Sequence, residues 1–374
     1  LSKCTSLSNM LTTLSLIASF ASFPLLSPAQ QSATILAPDA IVAADGQLLE
    51  GYRVVIADGK IIEVAADPRT AGVEVRLHGV LSPGFVDAFA QLGAEIFLTE
   101  QSDKVTPGLL AVDGARLDSD AWQELAKHGV TSAHLVPDPT NVLSGSGALI
   151  ATASEASVAK VTDGQTVQIA SLLSSSVSDG RVGPSSLAGA LEVLHESVAT
   201  HGARALGSLP WFFVEDAAGT RSVKTLMGDL NISSAKFILL GDPGEYAGLF
   251  TDELVGLPAF GMGELARRAE LWRRMSKANI SVAFGTRMSN IEYNSLRSSA
   301  MAWSRITRDP QAAFESITVN PATMLGRDDI GRIAKGARAD LVLWSAHPLD
   351  AQARVLATMI AGETVYRADI STNN

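Results

Sequence analysis

Five carboxylates sit at the ends of predicted strands: Asp87, Glu95, Glu215, Asp216 and Asp242. Oxygen donors of this kind hold Mg²⁺, Ca²⁺ or Mn²⁺ without help from histidine. The chain has six histidines, His78, His128, His134, His195, His201 and His347, and none pairs with another at metal-ligand spacing. Each reads better as a surface or structural histidine. The lone cysteine, Cys4, lies ahead of an apolar N-terminal stretch, so the rest of the chain has no thiol for a disulfide, a thiolate site or a nucleophile. Ser144-Gly-Ser-Gly147 reads as a glycine-rich loop after a strand, but it lacks the Gly-Lys-Ser/Thr ending of a phosphate loop. No Gly-x-Ser-x-Gly elbow is present, so serine nucleophile chemistry has no support.

These residues need elements to hold them. A chain of 374 residues is long enough for one large barrel and a small accessory domain. A formal charge of −10, with no basic run, argues against a nucleic-acid surface. Lys3 precedes the apolar stretch Leu11–Leu26, and Ser27-Pro28-Ala29 offers the small residues a signal peptidase needs. Residues 1–29 are therefore expected to be a cleaved signal peptide. The stretch is short for a bilayer, so no stable membrane span is expected after cleavage. The expected location is outside the cytoplasm, periplasmic or extracellular; Leu1 in place of Met suggests a non-ATG start and a bacterial source.

From Ala33 to Leu81 the pattern is short strands and tight turns. Asp45-Gly46 and Asp58-Gly59 each separate two apolar runs, the signature of a two-residue hairpin. From Pro83 to about Gly326 strand-then-helix units follow. Asp120–Lys127 predicts a helix, Val130–Val136 a strand, and Glu264–Lys277 a helix with Leu265, Ala269, Trp272 and Met275 on one face. Asn279 suits a left-handed cap, and Asp309-Pro310 an N-cap followed by an N1 proline. The stretch from Ser174 to Ser186 is expected to be a surface loop. The end of the chain returns to short strands. The fold class is α/β, a (β/α) TIM-like barrel over residues 83–328 with a small β-sandwich made from residues 30–82 and 329–374.

Two motifs carry a family resemblance. Residues 81–93 read Leu-Ser-Pro-Gly-Phe-Val-Asp-Ala-Phe-Ala-Gln-Leu-Gly. Asn320, Pro321, Ala322, Leu325, Gly326, Gly331, Gly336, Ala339 and Asp340 stand in an Asn-Pro-Ala-x-x-Leu-Gly helix and an Ile-Gly-x-Ile-x-x-Gly-x-x-Ala-Asp-Leu-Val return. The chain resembles the amidohydrolase superfamily, nearest its imidazolonepropionase-like branch. The resemblance covers nearly the whole chain after the leader and is weakest between Thr152 and Ala205. It implies a hydrolase of amide or other C–N bonds using one or two zinc or similar ions.

The implied ligand positions are changed. A His-x-His pair is expected on the first barrel strand, where this chain has Phe89 and Gln91. Histidines expected at the ends of the fifth and sixth strands are replaced by Val214 and Gly241, within a residue or two. The last strand's Gly-Thr-Asp reads Gly285-Thr286-Arg287, so the proton-transfer aspartate is an arginine whose charge would repel a divalent cation. Metal loss is therefore expected, with an Arg287–Asp242 or Arg287–Asp87 ion pair sealing the mouth. Asp87, Glu215, Asp216, Asp242 and Arg287 remain candidates for a ligand pocket. Two functions stay open. One is an exported, catalytically silent binding protein or subunit, partnered by a small-molecule ligand or an active amidohydrolase paralogue. The other is an active hydrolase of C–N bonds through a non-standard site.

Overall fold

A computed structural model describes residues 33–94, 96–154, 156–177, 183–207, 209–241, 248–259, 265–286 and 292–369. The expected leader, Glu95, Asp242 and Arg287 lie outside the described residues.

The N-terminal strands are β1 (Ala33–Ala37), β2 (Ala40–Val42), β3 (Leu48–Glu50), β4 (Arg53–Ala57), β5 (Lys60–Ala65), β6 (Gly72–Arg76) and β7 (Val80–Pro83). Asp58 and Gly59 both have positive φ, 51° and 74°, which lets β4 turn directly into β5. One sheet runs β5-β4-β1-β6.

The middle of the chain contains β8 (Phe85–Ala90), α1 (Asp120–Lys127), β9 (Val130–Leu135), β10 (Leu143–Ser146), β11 (Ala148–Ala151), β12 (Lys160–Asp163) and β13 (Gln168–Ser171). Next come α2 (Leu187–His201), β14 (Trp211–Val214), α3 (Ala217–Asp229), β15 (Lys236–Leu239), β16 (Leu254–Pro258), α4 (Leu265–Lys277) and β17 (Ser281–Gly285). Three helices follow, α5 (Ser295–Thr307), α6 (Pro310–Glu315) and α7 (Val319–Met324). The last strands are β18 (Leu341–Trp344), β19 (Val355–Ile360) and β20 (Glu363–Arg367).

A six-stranded sheet runs β20-β19-β18-β7-β2-β3, so both ends of the described chain share it. β18 lies antiparallel to β7, with Leu341 opposite Pro83 and Trp344 opposite Val80. Leu36, Val54 and Ile61 of the first sheet bury against Ile41, Leu81 and Leu341 of this one.

Strands β13 to β17 form a parallel run, joined to β10 at one edge. β8 pairs parallel with β9 in a separate four-stranded sheet, β12-β11-β9-β8. The Thr286 N–H, one residue past β17, donates to Asp87 Oδ1 on β8 at 3.0 Å. Ala88, Phe89, Val136, Ile169, Trp211, Phe213, Ile238, Ala283 and Met324, drawn mostly from these parallel strands, form one buried apolar cluster. The architecture is mixed α/β. Among the described residues no helix is long and apolar enough to cross a membrane.

Capping explains where the helices begin. Ser119, Ser186, Asp216 and Asp309 each accept a first-turn amide through the side chain, and Pro310 follows at the first helical position. Trp272 of α4 meets Trp303 of α5 with ring centroids 5.2 Å apart. Asn279 takes φ 54° between α4 and β17.

Two expectations are corrected. The strand-then-helix rhythm breaks between residues 143 and 171, where four strands follow one another and pair largely antiparallel. Ser144-Gly145-Ser146 is strand β10 and fully buried, not a loop. Its small residues let another segment lie against it: a Cβ on Gly145 would fall 2.5 Å from Leu109 O. The serine run does reach the surface, with Ser174 and Ser175 exposed, while Ser176 closes a short 3₁₀ turn and is buried, its hydroxyl donating to Leu173 O at 2.8 Å.

Candidate functional site

β8 carries the residues that matter most. All six of its residues are buried, so its side chains point alternately into two packed regions. Asp87 and Phe89 are two apart, and neither exposes any surface.

Phe89 lies in the apolar cluster between the parallel strands. Its ring meets Phe213 edge-on, with centroids 5.9 Å apart. Two glycines give it room. A Cβ on Gly285 would fall 2.5 Å from the Phe89 ring, and one on Gly256 would fall 3.1 Å from it. The phenyl group thus fills the volume beside β16 and β17.

Asp87 is enclosed by donors. Its carboxylate accepts from the Thr286 N–H at 3.0 Å, the Thr286 hydroxyl at 2.5 Å and the Phe89 N–H at 3.1 Å. Burial pushes its pKa up to about 7, against the pull of these bonds. It ties the end of β17 to β8.

His134 stands on β9 beside the same cluster. Its Nδ1 lies 3.0 Å from Ala88 O, a group that only accepts, so Nδ1 carries the proton. Nε2 then accepts from the Thr166 hydroxyl at 2.7 Å. Burial pulls the pKa down to about 4, opposed by the bond to Ala88 O. The ring is neutral and both nitrogens are engaged.

Gln91, the second position of the pair, sits at the edge of this packing. Its Nε2 donates to Asp138 Oδ1 at 3.1 Å, and the other carboxylate oxygen accepts from Leu98 N at 2.6 Å. Gln91 also lines a cavity of about 420 Å³ with Gly93, Arg116 and Ser119. Asp138 went unnoticed in the sequence because it follows β9 in a polar loop, and only the folded chain brings it to Gln91.

The remaining positions are dispersed. Val214 ends β14 and is fully buried. Gly241 lies two residues past β15, and a Cβ there would fall 1.7 Å from Glu215 O, so this backbone admits no side chain. Glu215 accepts from the Ser174 N–H and hydroxyl at 2.8 and 3.1 Å. Asp216 caps α3 through Gly219 N at 2.6 Å. As pocket residues, Asp87, Glu215 and Asp216 are therefore all committed to holding backbone. The expected Arg287–Asp242 pair lies outside the described residues.

A divalent ion does not fit these donors. Phe89 and Val214 offer no lone pair, and Gly241 has no side chain. The Gln91 amide, the Asp87 carboxylate and the His134 nitrogens are each bonded elsewhere. Among the described residues, no three His, Cys, Asp or Glu side chains gather as a metal would need.

Comparisons with known proteins find partial sequence matches and a wider likeness of fold. Residues 250–366 match a family described as the amidohydrolase family. An imidazolonepropionase from Cereibacter sphaeroides is 43% identical over 56 residues, which is 15% of this chain and 14% of that protein. The structure of an amidohydrolase from Thermotoga maritima superposes with a TM-score of 0.76 at 21% identity, covering 90% of this chain and all of that one. Phenylurea hydrolase B gives a TM-score of 0.61 at 16% identity over 90% of this chain and 97% of that one. A prolidase complexed with N-methylphosphonate-L-proline gives 0.55 at 15% identity, over 90% of this chain and all of that one. At these identities the structural likeness speaks to fold, and the sequence matches speak to descent. Together with the motifs at residues 81–93 and 320–340, the sequence matches support the amidohydrolase superfamily for this chain.

Proposed function

We propose that this protein has abandoned metal-dependent hydrolysis. It acts as an exported, catalytically silent binding protein, or as the partner subunit of an active paralogue. On this reading residues 83–328 form a closed (β/α) barrel, and residues 30–82 and 329–374 form one sandwich beside it. The observation that carries the proposal is Phe89. Where hydrolase relatives would hold a metal-binding imidazole, this chain has a fully buried phenyl ring set against Gly256 and Gly285. A core filled this way gives no volume for an ion and its water.

The competing reading, C–N hydrolysis through a non-standard site, draws on Asp87, a buried acid whose pKa of about 7 would suit proton transfer. Its oxygens are occupied by Thr286 and Phe89, which argues for a structural role.

One preparation tests both readings. The protein is purified without chelator, its metal content measured, and its turnover of cyclic amides and dipeptides assayed. The expected result is no stoichiometric zinc and no hydrolysis. About one zinc per chain would defeat the proposal, since structural and catalytic zinc both bind tightly enough to survive purification. Turnover without metal would favour the Asp87 reading. Export is tested separately, by mass spectrometry of secreted protein, with a mature N-terminus near Gln30 expected.

A further inference from the structure

A cavity of about 930 Å³ lies between the C-terminal end of α1, the start of α5 and the β18–β20 edge of the six-stranded sheet. It shares no lining residue with the cavity beside Gln91. Its volume is near the upper end of what small-molecule pockets show.

The charges around it are unbalanced. Lys127, Arg297 and Arg354 stand in the wall with the His128 ring, against one lining carboxylate, Asp369. Lys127 is partly neutralised, its ammonium 2.6 Å from Glu124. Arg297 is different. It is half-buried, with Nε donating to Pro348 O at 2.6 Å and Nη2 donating to Asp350 O. Its guanidinium lies over the Trp344 ring, 5.2 Å from the centroid. Carbonyls and a ring orient a guanidinium but do not cancel its charge. Among the described residues no carboxylate oxygen comes within ion-pair distance of it; the Asp350 charge acts on it only from farther away. Burial accordingly lowers its pKa. Arg354 is exposed, and its guanidinium has no partner among the described residues. His128 donates through Nδ1 to Glu124 O at 2.8 Å, which leaves Nε2 available.

Val355, Leu356 and the Tyr366 ring give the wall an apolar and aromatic part, beside the polar Ser345. Asn294, the N-cap residue of α5, also lines it, so the positive end of that helix adds to the field. A pre-oriented, half-buried guanidinium with spare donors favours a planar oxyanion, because the fork matches two oxygens at once.

We propose that this cavity binds a small organic anion, a carboxylate or phosphate group on a flat apolar body. Arg297 and Arg354 hold the charged group, and Val355, Leu356 and Tyr366 cover the body. The site is independent of the fate of the metal position.

Isothermal titration of the full chain tests it with phenyl phosphate, benzoate, inorganic phosphate and benzyl alcohol. Phenyl phosphate or benzoate is expected to bind with Kd below about 1 mM. Inorganic phosphate and benzyl alcohol should each bind at least roughly tenfold more weakly, since each lacks one half of the recognition. Arg354→Ala should weaken the organic anion by about fivefold, the worth of an exposed charge, with an unchanged melting temperature. Arg297→Lys should weaken it by about tenfold or more, because an ammonium cannot reproduce the fork. Arg297→Lys could disturb the fold through its carbonyl contacts, and Arg354→Ala keeps the test decisive in that event. Absence of heat with both organic anions overturns the proposal. So does binding unaffected by Arg354→Ala, or equal binding of either half-ligand.

Discussion

Phe89 and Asp87 sit two residues apart and carry opposite liabilities. Removing the Phe89 ring would leave a void lined by Phe213, Ile238 and the glycines of β16 and β17. Phe89→Ala should cost about 3–5 kcal/mol, measured by denaturant unfolding. Replacing it by a polar ring should not help. Phe89→His with Gln91→His is expected to restore no amide hydrolysis, because Val214 and Gly241 still supply no ligand and catalytic groups acting as a unit fail together. Measurable turnover by that double variant would contradict the argument. Asp87 gives a pH signature. Its ordinary pKa of 3.8 is raised to about 7 in the fold, so the protonated form is the one the fold favours. That contribution is complete below about pH 4 and is lost as pH rises through about 7. Asp87→Asn keeps an acceptor for Thr286 and removes the charge. Its melting temperature relative to the parent should therefore climb with pH up to about 7 and level off above. A difference that stays flat from pH 4 to 8 would show that Asp87 remains ionised throughout. The sequence marked Phe89 as the changed position from its motif. It could not reveal what the ring does, because Gly256 and Gly285 become meaningful only once they are a few ångströms from it.

At the scale of elements, the β7–β18 ladder couples the two ends of the described chain. The Trp344 indole donates to the Ser82 hydroxyl at 2.9 Å, and its ring meets Phe85 at 5.3 Å. Deleting residues 330–374 would strip one edge of β7 and uncover Leu81 and Phe85. The truncated chain should be insoluble, since a sheet short of its partner strands exposes both backbone and apolar face. A soluble truncation with cooperative melting would refute this. Local chemistry made much of this level readable. Asp58-Gly59 forms its hairpin, Asp309-Pro310 opens its helix, and Asn279 takes the left-handed turn. The stretch from 143 to 171 was not readable in the same way. β10, β11 and β13 are buried on both faces, so they show no alternation, and their serines and glycines imitate a loop.

Over the whole molecule, two buried groups titrate against each other. His134 has its pKa lowered from 6.5 to about 4, so its neutral form favours the fold. That contribution is complete above about pH 6.5 and is lost as pH falls toward about 4. The slope opposes that of Asp87 across most of the same interval. Their sum should be nearly level between about pH 4 and 6.5, each acting with roughly 3–4 kcal/mol over its range. Calorimetric scans of the parent should show little pH dependence from this pair, while His134→Gln should lose stability relative to the parent as pH rises over that interval. A His134→Gln difference that does not change with pH would mean the ring is not held neutral. The close approach of Gly241 to Glu215 O has a consequence for the history of the site. No side chain fits at 241 unless the end of β15 moves, and an imidazole at 89 would put polar nitrogens into a packed apolar core. On the proposed reading, each step back toward a metal-binding site would be harmful alone and useful only in company. If the hydrolase chemistry is lost, as proposed, the loss works as an evolutionary ratchet: selection for a stable interior would guard the substitutions that ended it, and descendants could explore new ligands but not the old reaction.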